Sequence, residues 1–220
     1  MAATRVELSL VVSPQIKKYK DLKGHSLAVD APGTGFAFVL YDMIERSSLL
    51  MSDIKFSSVG ATPKRWESVK TGEHVGTLMI EPFTSIAIAN GFHVLESSLN
   101  TMPNYQGGVF AASREWVSLN EGSLMGFIKG YLRGLRWTLN PDNYEVARDL
   151  LVTRMPAIRS TIADGVMTKL LDPSTGLIPD GEFDSQGVET VRSLRNRFSA
   201  TKEKSIDFSA DIDAAYLRKA

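Results

Sequence analysis

The chain contains no cysteine, which excludes disulfide frameworks, thiolate nucleophiles, Cys-ligated zinc and iron–sulfur clusters. An excess of either charge is also missing, since 25 Lys and Arg stand against 25 Asp and Glu in 220 residues. Zero net charge gives no global field to hold nucleic acid or an anionic membrane, so neither is expected as a partner. Long apolar runs are absent too. Arg5 and Glu7 interrupt the stretch ending at Val12, which is too short for a signal-peptide core or a membrane span, so the chain as written is expected in the cytoplasm. Histidine is scarce. His25, His74 and His93 lie far apart, and neither H-E-x-x-H nor the G-x-S-x-G nucleophile elbow occurs. No catalytic residue, metal ligand or cofactor is assigned, and the histidines are read as surface or capping groups. What is present is a globular composition, 43% hydrophobic and 23% charged, with room for one large domain or two small ones.

Punctuation and periodicity then organise the chain. Val6 to Val12 reads as a strand ended by Ser13-Pro14, and Ser26 to Val29 as a second strand after the turn at Lys23-Gly24. The break Asp30-Ala31-Pro32-Gly33-Thr34-Gly35 leads into Phe36, Val39, Leu40, Met43 and Ile44, whose spacing marks one face of a helix. The unit repeats in kind. Ile54 to Val59 is a strand, and Thr62-Pro63 starts a helix through Trp66 and Val69. Val75 to Ile80 is the next strand, Phe83 to Ala89 a helix stopped by Asn90-Gly91, and Phe92 to Leu95 a further strand. This alternation predicts an α/β domain with a largely parallel sheet. Beyond one more strand at Val109 to Ala112 the pattern turns helical. Helices are expected around Leu124 to Leu135 and over Pro141 to Thr153, Ile158 to Leu171 and Ser185 to Phe198, with a polar tail from Lys202.

Few residues carry chemistry. Gly33, Thr34, Gly35 and Phe36 sit between a strand and a helix, where unpaired amides and the helix dipole favour an anion and glycine admits a ligand to the backbone. The spacing is neither the dinucleotide fingerprint, because Phe38 stands where the third glycine would, nor a phosphate-binding Gly-Lys-Ser/Thr loop. A tight turn that needs glycine for positive φ is the competing reading. Glu81 stands where open α/β sheets present ligand groups, and equally where a helix start favours a carboxylate. Thr62 divides in the same way between N-cap and ligand donor. Trp66 and Trp137 are read as core, and Lys17, Lys18, Lys20 and Lys23 as a solvated face.

The run from Tyr19 to Phe38, YKDLKGHSLAVDAPGTGFAF, resembles the opening of the second lobe in substrate-binding proteins of nitrate/sulfonate/taurine-type ABC importers. Val59 to Glu67 (VGATPKRWE), Glu81-Pro82-Phe83, Pro103 to Phe110 (PNYQGGVF) and Leu171 to Pro179 (LDPSTGLIP) are similar to the same family. The resemblance implies a type II periplasmic-binding-protein fold, a two-lobed clamp with a small solute trapped in its cleft. It places residues 1–18 as first-lobe strand and hinge, 19–102 as a complete α/β second lobe, and 103–220 as the mostly helical return of an incomplete first lobe. The implied ligand-binding residues are Gly33, Thr34, Gly35, Phe36, Thr62, Glu81, Phe83 and Tyr105. The implied partners are a small polar or anionic organic ligand, such as an aliphatic sulfonate or amino-containing acid, and an ABC permease and ATPase. Family members are extracytoplasmic and carry an export signal and half a lobe ahead of the segment matched here, so a homodimer through the incomplete lobe is a further expectation. Two alternatives stay open: an enzyme on the same fold, resembling thiamine-pyrimidine synthases or aromatic-acid decarboxylases, and a partner-completed paralogue that binds nothing.

Overall fold

The computed structural model describes residues 1–199 and 212–220, so the stretch of the polar tail from Lys202 to 211 lies outside the described residues. The chain forms two units. One comprises residues 7–104 and 189–199 and carries the sheet; the other comprises 1–6, 105–188 and 212–220 and is helical.

In the sheet unit, β1 (Ser9–Val12), β2 (Ser26–Val29), β3 (Lys55–Ser58), β4 (Gly76–Met79) and β5 (His93–Ser97) lie in the order β3-β2-β4-β1-β5. The parallel pairs are β2 with β3 and β2 with β4, while β1 is antiparallel to both β4 and β5. Four strands therefore share one direction and β1 alone runs against them. That corrects two sequence expectations. The opening strand starts at Ser9 rather than Val6, and it sits inside this sheet, where the resemblance assigns it to the other lobe. The physical reason is burial. Ser9-Leu10-Val11-Val12 is apolar enough to be covered on both faces, as is Gly76 to Met79 beside it, whereas edge strands β3 and β5 stay partly exposed. Glycine is required at position 76, since a Cβ there would stand 2.8 Å from the Val11 carbonyl.

Helix α1 (Gly35–Arg46) buries Ala37 to Ile44, and α2 (Thr62–Lys70) and α3 (Phe83–Ala89) pack on each other and on β4 and β1 respectively. The step from β2 to β3 and the step from β3 back across β2 to β4 run in opposite directions. Right-handed crossovers therefore put α1 and α2 on opposite faces of the sheet. Residues 189–199, the later turns of α8 (Ser185–Phe198), cover α1. Phe198 lies 6.2 Å from Phe38, and Arg197 reaches the buried Asp42 carboxylate at 2.6 Å.

The helical unit contains α4 (Arg114–Leu119), α5 (Glu121–Leu139), α6 (Tyr144–Arg154), α7 (Ser160–Leu171) and α9 (Ala215–Arg218). Its α5 core is Ile128, Leu132 and Leu135, packed by Leu124, Tyr131, Leu177 and Leu217. The expected strand at Val109 to Ala112 does not form. Val109 makes a single bridge to Ala2, and with no long partner strand beside it among the described residues the segment stays irregular. Trp137, expected in the core, is 39% exposed, because it lies on the face of α5 opposite Ile128. Among the described residues no helix is long and apolar enough to cross a membrane.

Candidate functional site

The loops after β3, β2 and β4 emerge side by side at the C-terminal edge of three adjacent parallel strands. Between β2 and β4 the chain departs in opposite directions, the place where open α/β sheets leave a crevice. This edge collects Gly33 to Phe36, Thr62, Glu81 and Phe83. Tyr105 belongs to the helical unit, where it is buried.

In the loop after β2, Thr34 caps α1. Its Oγ1 accepts from the Ala37 amide at 3.3 Å and donates to Asp30 Oδ1 at 2.6 Å, so this hydroxyl is occupied. Tyr41 donates to the Pro32 carbonyl at 3.2 Å and steadies the turn, and burial with the nearby Asp30 charge pushes its phenol pKa up. Gly33 and Gly35 take no positive φ, which removes the conformational reason for glycine, and a Cβ on Gly33 would meet open space. Nothing in the fold requires glycine at 33. Gly60 is different: its φ of +98° is strained for other residues.

The loop after β3 is organised by a residue that the sequence reading passed over. Arg65 on α2 is 2% exposed. Its Nη1 donates to the Gly60 carbonyl at 2.6 Å, Nη2 to Thr62 Oγ1 at 3.1 Å and the Leu78 carbonyl at 3.2 Å, and Nε to Thr77 Oγ1 at 3.0 Å. Thr77 passes the tether on to β2 through the Ala28 carbonyl at 2.7 Å. Burial lowers the Arg65 pKa, against a smaller favourable field from Asp30. A signal existed in the sequence, because Arg65 shares a helical stripe with Val69 four residues on, an unusual place for a cation. Thr62 does not act as N-cap. Ala61 holds that position, and the Thr62 hydroxyl takes the Arg65 bond instead.

After β4, Glu81 Oε1 accepts from Ser85 Oγ at 3.0 Å and Oε2 from the Ser85 amide at 3.4 Å, so the carboxylate is folded back over the first turn of α3. Phe83 opens that helix and is half-buried. The adjacent Thr84 hydroxyl is buried without a partner among the described residues. Among the described residues no cluster of three or more metal-ligating side chains forms. His25 is exposed, as read, but His74 is buried, since the turn after α2 folds it inward, and its Nδ1 has no partner among the described residues. The lysines at 17, 18, 20 and 23 are exposed, and Lys23 pairs with Asp53 at 2.9 Å.

A model of the NMT1-like family matches residues 3–152. The chain belongs to the NMT1-like family. No curated protein matches it. Among solved structures, this NMT1-like chain is similar to the periplasmic aliphatic sulphonate-binding protein SsuA of Escherichia coli, at 20% identity and TM-score 0.62, covering 90% of this chain and 63% of that one. It is also similar to the alkanesulfonate-binding SsuA of Xanthomonas axonopodis pv. citri bound to MOPS, at 14% identity and TM-score 0.68, covering 89% and 68%. The desulfurization enzyme DSZB is a third likeness, at 11% identity and TM-score 0.63, covering 99% and 76%. At these identities the likeness establishes the periplasmic-binding-protein fold. The chain spans about two thirds of the length of the sulfonate-binding structures.

Proposed function

We propose that this chain is the solute-capturing component of an ABC importer, or part of one, and holds a small anionic or polar organic molecule at the C-terminal edge of β3, β2 and β4. The observation that carries this reading is Gly33. It sits beside the start of a 12-residue helix, without positive φ and with open space where a Cβ would be, so the fold gives no reason for the glycine and a ligand approaching the backbone does. The N-terminus of α2 opens onto the same edge. Glu81 adds a carboxylate, which disfavours a bare anion and favours a solute that joins an acid group to an amine or N–H donors, worth ~1–3 kcal/mol where the pair is desolvated. The periplasmic-binding fold and the sulfonate-binding likenesses support an aliphatic sulfonate or an amino-containing acid as the class, with a permease and an ATPase as the partners such a component serves.

Calorimetry with ethanesulfonate, an aminosulfonate, acetate, an amino acid and nitrate tests the reading. Saturable binding of an organic acid is expected, weakened about 10-fold or more by Gly33→Ala with the melting temperature unchanged. Glu81→Gln should lower affinity for the aminosulfonate more than for ethanesulfonate. No binding of any solute, or tight nitrate binding indifferent to Glu81→Gln, sinks it.

The exposed apolar side chains of the helical unit favour a second reading, in which a partner or a second copy completes the protein. Sedimentation distinguishes the two: a monomer stabilised by solute excludes partner completion.

A further inference from the structure

Arg65 is a cation with no anion paired to it among the described residues. A guanidinium 98% removed from water is costly unless a carboxylate pairs with it, yet among the described residues none does, and all four of its acceptors are neutral. Asp30, whose field it feels, accepts with its Oδ1 from the Thr34 hydroxyl instead. Five N–H groups on a guanidinium serve four bonds here, which leaves one Nη1 hydrogen without an acceptor among the described residues. Thr62 is similarly half-used. Its Oγ1 accepts from Arg65, so its own hydrogen remains for donation, and it meets no acceptor among the described residues. The groups in question are all in or directly beneath the Gly60 to Thr62 loop, at the start of α2. A positive charge held there with no carboxylate in direct contact, and only the more distant field of Asp30 against it, lowers the energy of a negative charge placed on the loop, and dry surroundings strengthen that effect.

We propose that Arg65 sets the charge selectivity of this edge, acting from beneath the loop to favour a compact oxyanion head group, with the hydroxyl and the backbone amide of Thr62 as the donors that touch it. Arg65 is a positioning residue in this arrangement: it holds Gly60 and Thr62 and supplies the field. The inference rests on the solute-capture reading and adds what that reading lacks, a source for the positive charge that an acid head group needs.

The test uses the full chain and inorganic sulfate as the probe, with chloride at matched ionic strength as the reference. Sulfate is expected to raise the wild-type melting temperature by several degrees beyond chloride. Arg65→Gln should abolish that difference, and Arg65→Lys, which keeps the charge with fewer donors, should keep most of it. Ethanesulfonate should lose about 10- to 100-fold in affinity in Arg65→Gln relative to the uncharged methanesulfonamide, a ratio that a merely structural role would leave unmoved. A sulfate response equal in wild type and Arg65→Gln overturns the role of Arg65 and leaves solute capture standing. A response that depends on Arg65 while no organic acid binds supports the charge site and overturns solute capture. Indifference of the wild type to sulfate and to every organic acid overturns both. Should Arg65→Gln not fold, folded Arg65→Lys decides: loss of its sulfate response overturns the charge as the cause.

Discussion

The sheet unit and the helical unit treat their large apolar side chains differently. In the first, Leu8, Leu10, Val11, Val12, Leu27, Val39 and Ile44 are wholly out of water. In the second, Val109, Phe110, Trp116, Leu119, Phe127, Trp137, Val146 and Leu150 stay exposed, and among the described residues only Leu50 and Ile88 match them elsewhere. The difference follows from architecture. A five-stranded sheet with helices on both faces encloses its central strands, whereas α5 and its neighbours have one covered face and one open face. The sheet unit therefore carries an interior able to hold loops in place, and the loops with unexplained polar groups are on it.

The largest test of that contrast is a pair of truncations. Leu10→Ala in the doubly covered β1 should cost about 3–5 kcal/mol, and Leu132→Ala in the thinner α5 cluster about 2 kcal/mol. Urea unfolding followed by circular dichroism measures both. Equal costs, or the reverse order, would show that the helical unit has the better-packed core.

The next effect concerns the loops. Gly60→Ala places a Cβ at a φ of +98° and should cost ~1–2 kcal/mol, while Gly33→Ala should leave stability within about 0.5 kcal/mol. Thermal unfolding compares them. A stability loss at Gly33 would restore the tight-turn explanation and withdraw the observation on which solute capture stands.

Much of this arrangement is legible in the sequence because it depends on local signals. Glycine breaks after short β-rich runs and apolar spacings of three and four place β2 to β5, α1 and α3 within a few residues, and Ser185 to Phe198 is a helix as its spacing predicts. What escapes is non-local. The position of β1 between β4 and β5 depends on pairing with residues 64 to 88 positions away, for which Val6 to Val12 carries no local mark. Val109 to Ala112 has strand chemistry but no partner strand among the described residues. At the site, Gly33, Thr62 and Glu81 stand out as loop residues, but the place of Arg65 on the Val69 stripe is only a faint mark until its four acceptors, from the loop after β3, the first turn of α2 and β4, are seen around it.

A smaller effect appears in alkali. Tyr19 donates to Glu96, and burial first and that carboxylate second push its phenol pKa far above the ordinary 10. Its neutral form is thus favoured by folding, and the contribution is fully present below pH 10. Above about pH 10 the unfolded chain releases a proton that the native chain keeps, so stability falls as pH rises. Tyr19→Phe should flatten that fall, read by unfolding at a series of alkaline pH values. The effect is below that at Gly60 because the group is only partly buried and solvent screens it. An unchanged alkaline slope in Tyr19→Phe would move the cause to Tyr41, or to Tyr131 in the helical unit, whose phenols burial also raises.

The smallest effect has the opposite sign and returns to glycine. Gly76 and Gly60 of the sheet unit are required, one by close backbone approach and the other by its φ. Along α5, Gly122, Gly126, Gly130 and Gly134 have helical backbone, and a Cβ on any of them meets open space. Each costs the helix backbone entropy that no contact in the described residues returns. Gly126→Ala and Gly130→Ala should each raise stability by about 0.5–1 kcal/mol, measured by thermal unfolding of the dilute chain. A gain at both positions means that this face of α5 is idle in the isolated chain, in keeping with a unit that covers one side of its helices. A loss at either would mean that another surface already packs against the glycines, and the exposed Trp137 on the same face would then be the place to look for its edge.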